Sequence, residues 1–230
     1  MAIGLGEQAL FCDSGSGRAG ELATETGGEA VTLQQIRERA DVVFLSHKPK
    51  QLTEVASELT GFDRTIVSLL AATPLATLRE AYPEARIVRT MPNIPVEAGQ
   101  GVLGIAEEGD AAPELDTYFA RLGLVVRCSE SQFELLTAIG GCAPAFFALF
   151  SDNLISSAAE RGMDEATARA IVNQTMLGTA TTLAATGVDT ETLMRRVASP
   201  GGLTERALES FDQSGLKAAV DAAVATVLGE

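Results

Sequence analysis

The sequence contains few of the residues that form metal sites and nucleophilic active sites. Its 230 residues include one histidine, three cysteines and no tryptophan. A site with several histidine ligands is therefore excluded by counting, and a Ser-His-Asp triad would have to use His47. Cys12, Cys128 and Cys142 are odd in number and far apart, with no metal-ligand spacing, so we expect free thiols, no metal and a cytoplasmic location.

Two other features are also lacking. No run of about 18 uninterrupted apolar residues is present, and the N-terminus has no signal-peptide pattern, so we expect no membrane association. Lys and Arg number 17 against 31 Asp and Glu, a net charge of -14. Because such a surface repels nucleic acid, none is expected as a partner. An anionic ligand would need local cations, for which Arg18, Lys48, Lys50 and Arg89 are candidates.

Up to residue 128, short apolar runs alternate with helical patterns, which predicts an α/β domain with a mostly parallel sheet. The predicted strands are 9–13, 41–46, 64–70, 86–90, 101–106 and 124–128, and the predicted helices are 18–25, 33–40, 51–59, 75–81 and 112–122.

After residue 128 only helical patterns occur, over 130–162, 164–185, 189–197, 203–212 and 216–228. The sequence thus predicts two domains, 1–128 and an all-helical 129–230. The apolar faces of the helices are broad for a small monomeric bundle, which favours burial in a homodimer.

Three polar stretches follow predicted strands: Ser46-His47-Lys48-Pro49, Ser68–Pro74 and Arg89–Pro95. Ligands of open parallel sheets bind outside the carboxyl ends of the strands, so these stretches predict one ligand-binding edge. Two prolines stiffen the loop around Asn93, whose amide can donate and accept hydrogen bonds as a nicotinamide carboxamide requires. The alternative is an asparagine that caps its own turn.

Two glycine-containing stretches lie in the helical half. Ser199-Pro200-Gly201-Gly202 precedes a predicted helix, and its free N–H groups suit a small carboxylate; the alternative is an ordinary cap. The small residues between Ala138 and Phe146 allow a ligand or another helix to approach the backbone closely. We interpret Cys142 there as a packing thiol rather than a nucleophile, because no histidine or cation lies beside it in sequence.

Taken in order, these stretches resemble the pyrroline-5-carboxylate reductase family, which makes proline by reducing a cyclic imine with NAD(P)H. The resemblance runs from about residue 8 to the end of the chain. It rests on Lys48-Pro49 (family V-K-P), Ser68 with Ala71 (S-x-x-A-G), Arg89–Pro95 (R-x-M-P-N-x-P), Gln174-Thr175 with Gly178 (Q-T-x-x-G) and Ser199–Gly202 (S-P-G-G).

The resemblance implies a Rossmann-like domain followed by a helical substrate-binding and dimerisation domain, and hydride transfer to an imine. It implies a catalytic role for Glu130, which would stabilise the iminium or relay a proton; alternatively Glu130 is a helix-start residue after the N-cap Ser129. The implied substrate-binding residues are Asn93, Gly141, Cys142, Ser199, Gly201, Gly202, Leu203 and Thr204. The implied cofactor-binding residues are Ser14, Ser16, Arg18, Lys48, Pro49, Ala71 and Asn93.

Several hydroxyl groups of the family pattern are missing. The family's S-G-S-G-P-A-Y reads G-G-C-A-P-A-F over Gly140–Phe146, and Leu203 replaces the first threonine of S-P-G-G-T-T. Each lost polar contact typically costs about 1–3 kcal/mol. Three hypotheses therefore stand: a pyrroline-5-carboxylate reductase, a reductase of a less polar imine, and a non-catalytic binding or regulatory relative.

Gly4-Leu5-Gly6-Glu7-Gln8-Ala9 spells the dinucleotide fingerprint G-x-G-x-x-A, but only three residues precede it and Asp13 follows Gly6 by only seven residues. A working fingerprint follows a strand and precedes its acidic residue by about 20 positions. We interpret the match as a decoy, with Met1–Leu5 ending a helix, and expect a sheet without its first βα unit and impaired cofactor binding.

The stretch Asp13–Arg18 then lies where the adenosine ribose would bind. Ser14, Ser16 and Arg18 would hold the 2′-phosphate of NADP, whereas Asp13 would accept the free 2′-hydroxyl of NAD. The sequence favours NADP and leaves NAD open.

Overall fold

The protein is described by a computed structural model that covers residues 9–230. The fingerprint-like turn and the helix end expected over residues 1–8 lie outside the described residues. The described chain forms two compact units, which meet in sequence between Pro144 and Ala145.

The first unit is an α/β layer structure. Its strands are β1 (Leu10–Phe11), β2 (Glu29–Ala30), β3 (Val42–Leu45), β4 (Thr65–Ser68), β5 (Arg86–Pro92), β6 (Gly101–Ala106) and β7 (Gly123–Cys128). Strands β3 to β7 form one sheet in sequence order, parallel except for the β5–β6 pair. Strands β1 and β2 pair in parallel as a separate sheet within residues 9–230.

The helices of the first unit connect the strands and cover the sheet. They are α1 (Arg18–Thr26), α2 (Leu33–Arg39), α3 (Leu52–Glu58), α4 (Leu75–Ala81), α5 (Asp116–Ala120) and α6 (Phe133–Leu136), with 3₁₀ turns at Pro49–Gln51, Ile94–Ala98, Pro113–Leu115 and Glu130–Gln132. A π-helical turn, Thr137–Cys142, follows α6.

The central strands of the five-stranded sheet are buried on both faces, as is typical of a mostly parallel sheet. All four residues of β4 are buried. Its side chains alternate: Ile66 packs in one core cluster with Ile87, and Val67 packs in the other with Val88. This double burial explains why β4 has a continuous buried pattern.

The second unit is all-helical. It contains α7 (Ala143–Ala159, which begins at the end of the first unit), α8 (Glu165–Thr186), α9 (Thr190–Val197), α10 (Leu203–Gln213) and α11 (Leu216–Leu228). Asp164 and Asp189 cap α8 and α9 by accepting the N–H groups of Thr167 and Thr192 at 2.9 and 2.7 Å. Large apolar side chains such as Phe147 and Leu149 remain exposed on these helices.

The predicted elements are confirmed, with differences at their ends. Strand β2 was not predicted, because Glu29–Ala30 is too short to show an alternating pattern. The predicted helix 130–162 is not uniform: 3₁₀, α and π turns precede α7. By length and composition alone, the helical stretch Glu130–Ala159 could cross a membrane, so the absence of a membrane stays a prediction.

Candidate functional site

The three predicted loops all leave the sheet at one edge. Strands β3, β4 and β5 are parallel to one another, so their carboxyl ends lie side by side. Lys48 and Pro49 begin the 3₁₀ turn after β3, where the backbone N–H of Lys48 donates to Gln51 Oε1 at 3.1 Å. The loop after β4 contains Ala72, whose φ of +51° is a conformation rare outside glycine. Strain of this kind is typical of ligand-binding loops.

The loop after β1 is organised by the carboxylate of Asp13. Oδ1 accepts the N–H groups of Gly15 and Ser16 at 2.6 and 3.0 Å, and Oδ2 accepts that of Ala19 at 2.7 Å. These bonds, led by those from Ala19 and Gly15, hold the pKa of Asp13 below its usual value. Asp13 therefore accepts an N–H group of the first turn of α1, whose N-cap residue is Gly17, a role that the sequence analysis did not consider.

The other polar side chains of this loop are exposed to solvent. Ser14, Ser16 and Arg18 are exposed, and Gly15 and Gly17 have φ values of +94° and +82°. Arg18 Nη1 lies 3.1 Å from Glu21 Oε2 in an exposed ion pair. Such a pair is weak in water, so the guanidinium can exchange Glu21 for another anion.

Both polar atoms of the Asn93 side chain form hydrogen bonds with backbone groups. Its Nδ2 donates to the carbonyl of Gly140 at 3.0 Å, and its Oδ1 accepts the N–H of Val102 at 2.8 Å. The sequence alternatives were a nicotinamide contact and a cap of its own turn. The amide instead joins β6 to the π-helical turn, so its free hydrogen-bonding capacity is reduced to the second N–H and the second lone pair.

Glu130 is also held by protein groups. Its Oε1 accepts from Arg89 Nη1 at 2.8 Å and from the backbone N–H of Leu75 at 2.7 Å. Arg89 is 3% exposed, and its Nη2 contacts Glu134 Oε1 at 3.1 Å. Arg89 was a candidate cation for an anionic ligand, but its charge is paired within the fold. Ser129 stands at the N-cap position, yet its hydroxyl contacts Ser131 and Gln132 side chains instead of capping the backbone.

Gly141 and Cys142 belong to the π-helical turn of the first unit. A Cβ at Gly141 would lie 3.6–3.8 Å from Thr137 and Met91, at ordinary contact distance, so no steric need for glycine exists there. Cys142 is a half-buried free thiol.

The turn Ser199–Thr204 belongs to the second unit. Gly201 has φ +70°, Gly202 is the N-cap of α10, and Leu203 is 79% exposed. The N–H of Gly202 donates to Ser199 O at 2.8 Å, and the N–H of Gly201 donates to Glu205 Oε2 at 2.6 Å. A side-chain carboxylate therefore occupies an amide predicted to hold the substrate carboxylate. The sequence analysis did not single out Glu205. Its position three residues after the N-cap, where a capping box has its Glu or Gln, could have indicated this contact.

A cavity of about 560 Å³ lies beside this turn within the second unit. Threonines of α8 line one side, and Thr204, Leu193 and Met194 contribute to the rest. Its walls are mainly apolar, because the hydroxyls of Thr179 and Thr182 donate to backbone carbonyls of their own helix.

Two family models match the sequence. Residues 130–229 match the pyrroline-5-carboxylate reductase dimerisation region, and residues 2–72 match the coenzyme F420-dependent NADP oxidoreductase family. The pyrroline-5-carboxylate reductase of Pseudomonas aeruginosa is 32% identical over 90% of this chain and 78% of its own length. The chain belongs to the pyrroline-5-carboxylate reductase family. The enzyme of the same name from Corynebacterium melassecola is 31% identical over 80% of this chain and 73% of its own length.

Solved structures agree with this family. Pyrroline-5-carboxylate reductase from Streptococcus pyogenes is 26% identical and superposes with a TM-score of 0.87 over 99% of this chain and 92% of its own. The Coxiella burnetii structure gives the same identity and TM-score over 99% and 91%. The Rossmann-like fold with a C-terminal helical dimerisation domain is thereby confirmed, and the match over 130–229 supports homo-oligomerisation.

Proposed function

We propose that this family member is an NAD(P)H-dependent pyrroline-5-carboxylate reductase that forms proline. One hydride and one proton add across the C=N bond of the cyclic imine, and NAD(P)H becomes NAD(P)⁺. The observation that carries the proposal is the 32% identity to the Pseudomonas aeruginosa reductase over 90% of this chain. The edge formed by β3, β4 and β5 supports it, because the family-like loops follow all three strands.

The described residues fit a dinucleotide. Lys48, Pro49 and Ala71 lie in loops at the carboxyl edge of the sheet, where such cofactors bind in open α/β sheets. Ser14, Ser16 and Arg18 would hold the 2′-phosphate of NADP, with Arg18 exchanging its exposed partner Glu21 for the phosphate. When bound, the dihydronicotinamide supplies the hydride. One N–H and one lone pair of the Asn93 amide are used by Gly140 and Val102. Asn93 would therefore orient the carboxamide of the nicotinamide with its second N–H and its second lone pair.

We assign binding of the substrate carboxylate to the turn Ser199–Thr204, through the backbone N–H groups around Gly201 and Gly202 and the hydroxyl of Thr204. The N-terminus of α10 adds favourable dipole charge for an anion. Glu205 must release the N–H of Gly201 when the substrate carboxylate uses that amide. The packing role proposed for Cys142 fits its half-buried thiol.

A homodimer is the assembly we propose, because the exposed apolar residues of α7 and α8 belong to the segment that matches the dimerisation region. Burial of residues such as Phe147 against a second copy would remove this surface from water. Sedimentation of the purified chain should give the mass of a dimer or a multiple of it, and a concentration-independent monomer would contradict the assignment.

The activity is tested with the purified full chain, NADPH or NADH, and pyrroline-5-carboxylate, by following loss of absorbance of the reduced cofactor. Stoichiometric formation of proline is expected, and the control without imine should show no oxidation. A pyrroline-5-carboxylate reductase of known activity, assayed in parallel, serves as the positive control for the substrate and the cofactor. Absence of proline in this chain alone would refute the proposal.

A reductase of a less polar imine is the second candidate, favoured by two observations. Glu205 accepts the N–H of Gly201, and Leu203 stands where the family pattern has a hydroxyl side chain. Cyclic imines with and without a carboxylate distinguish the two functions. A higher kcat/KM for the imine without a carboxylate would favour this second candidate.

A further inference from the structure

The inference concerns Glu130, Arg89 and the start of helix α4. The helix begins at Leu75 after Pro74, which has no polar side chain to cap it. The first N–H groups of a helix have no partner inside the helix and carry partial positive charge. Glu130, which is 55 residues further along the chain, supplies the acceptor for the N–H of Leu75 at 2.7 Å.

Arg89 fixes the position of that carboxylate. Its guanidinium lies 2.8 Å from Glu130 Oε1 and 4.2 Å from the centre of the Phe133 ring. Arg89 is 3% exposed and Glu130 is 30% exposed, so the pair is screened less by water and salt than a surface ion pair is. The same oxygen of Glu130 therefore serves both Arg89 and Leu75.

The segment that ends at Leu75 is the loop after β4, which contains Ala71 and the strained residue Ala72. At its start, the N–H of Leu69 donates to Leu45 O at 3.0 Å. Thr73 Oγ1 donates to Ala71 O at 3.0 Å within the loop. At the other end, Glu130 accepts the N–H of Leu75, whose side chain is buried in the core.

We propose that Glu130 is a positioning residue: by accepting the Leu75 N–H beside Arg89, it holds the Ala71–Ala72 loop in the place that receives the nicotinamide. This inference rests on the proposed function for the identity of the ligand, but the contact itself is independent of it. It differs from a proton relay, because a positioning carboxylate can be replaced by any group that accepts the same hydrogen bond.

Two variants separate these roles. Glu130→Gln keeps an oxygen that can accept from Leu75 and Arg89, whereas Glu130→Ala removes the acceptor. For a positioning residue, E130Q should keep kcat within about fivefold and an unchanged pH profile, while E130A should raise KM for NADPH and lower kcat by about tenfold or more. A proton relay predicts that E130Q loses as much activity as E130A, with one limb of the pH profile removed.

Glu134→Gln is the matched control. Glu134 also contacts Arg89, but it is 51% exposed and accepts from Arg89 at the longer distance of 3.1 Å. E134Q should leave KM for NADPH within about twofold of the wild type, because the Leu75 contact is intact. An equal change in KM for E134Q and E130A would overturn the proposal.

A readout without substrate keeps the test separate from the proposed function. Amide hydrogen exchange of Leu75 should be slow in the wild type and in E130Q, and faster in a thermally stable E130A or, should E130A not fold, in Glu130→Leu. Unchanged exchange in the variants that remove the acceptor would overturn the positioning role. Absence of proline formation by the wild type would instead refute the proposed function and leave the exchange result to decide this inference.

Discussion

The side-chain amide of Asn93 donates to the backbone carbonyl of Gly140 at a distance of 3.0 Å. Pro144 stands four residues after Gly140 and has no N–H, so an α-helix cannot supply the usual donor to this carbonyl. The helix widens into its π turn at the same place, over Thr137–Cys142. Asn93 thus satisfies a carbonyl that a proline leaves without its helical partner.

The first prediction is that Asn93→Ala destabilises the fold. It leaves the N–H of Val102 without its acceptor and the carbonyl of Gly140 without its side-chain donor. Urea unfolding should show a loss of about 1–3 kcal/mol. Gln34→Ala is the control, since Gln34 is exposed on α2 and only donates to Glu38 Oε1 at 3.0 Å, and it should cost less than about 0.5 kcal/mol. Equal losses for the two variants would contradict the role of Asn93.

The second prediction concerns the choice between NADP and NAD. Arg18→Ala should raise KM for NADPH by about tenfold, because a charged contact to the 2′-phosphate is lost. KM for NADH should stay unchanged. Arg37→Ala, at a half-buried arginine of α2 that donates to the carbonyl of Thr60, should affect KM for neither cofactor. If R18A raises KM for NADPH and for NADH equally, Arg18 does not bind the 2′-phosphate.

The third prediction is that Glu205 competes with the substrate carboxylate. Glu205→Ala frees the N–H of Gly201 and removes a negative charge from the turn. KM for pyrroline-5-carboxylate should fall by about three- to tenfold, and kcat should stay the same. Glu209→Ala, one turn further along α10, is the control. An unchanged or higher KM in E205A would mean that Glu205 only caps the helix.

The fourth prediction concerns alkaline stability and Tyr82. The side chain is 3% exposed, and its hydroxyl has no hydrogen-bond partner among the described residues. Burial raises the pKa of Tyr82 from 10.0 to about 12. Above about pH 10 the unfolded chain loses the phenolic proton while the folded chain keeps it, so stability falls as the pH rises toward 12.

Tyr82→Phe should lack this part of the alkaline loss, which is on the order of 1–3 kcal/mol. At pH 7 it should be as stable as the wild type or more stable by up to about 1 kcal/mol, because no hydrogen bond is removed. Urea unfolding at neutral and alkaline pH measures both effects. A Y82F variant that loses stability at pH 7 would show that the hydroxyl has a partner.

Local patterns were sufficient to predict the starts of two helices and the sheet edge. The predicted helices 164–185 and 189–197 begin at Asp164 and Asp189, which are the N-caps in the structure, because a cap needs only groups within three residues. The apolar run 41–46 predicted the buried strand β3, and β3, β4 and β5 do end at one edge. The S-P-G-G turn likewise ends at the N-cap of α10.

The sequence by itself determined the fold class and the family, and it indicated the loops to which we assign the proposed ligands, since these depend on local periodicity and on motifs in order. Only the tertiary structure decided what Glu130 and Asn93 contact. Their partners Arg89 and Gly140 are 41 and 47 residues away in the chain. A side chain that can serve either a ligand or the fold has the same local sequence in both cases, and the contacts made across the sheet distinguish the two.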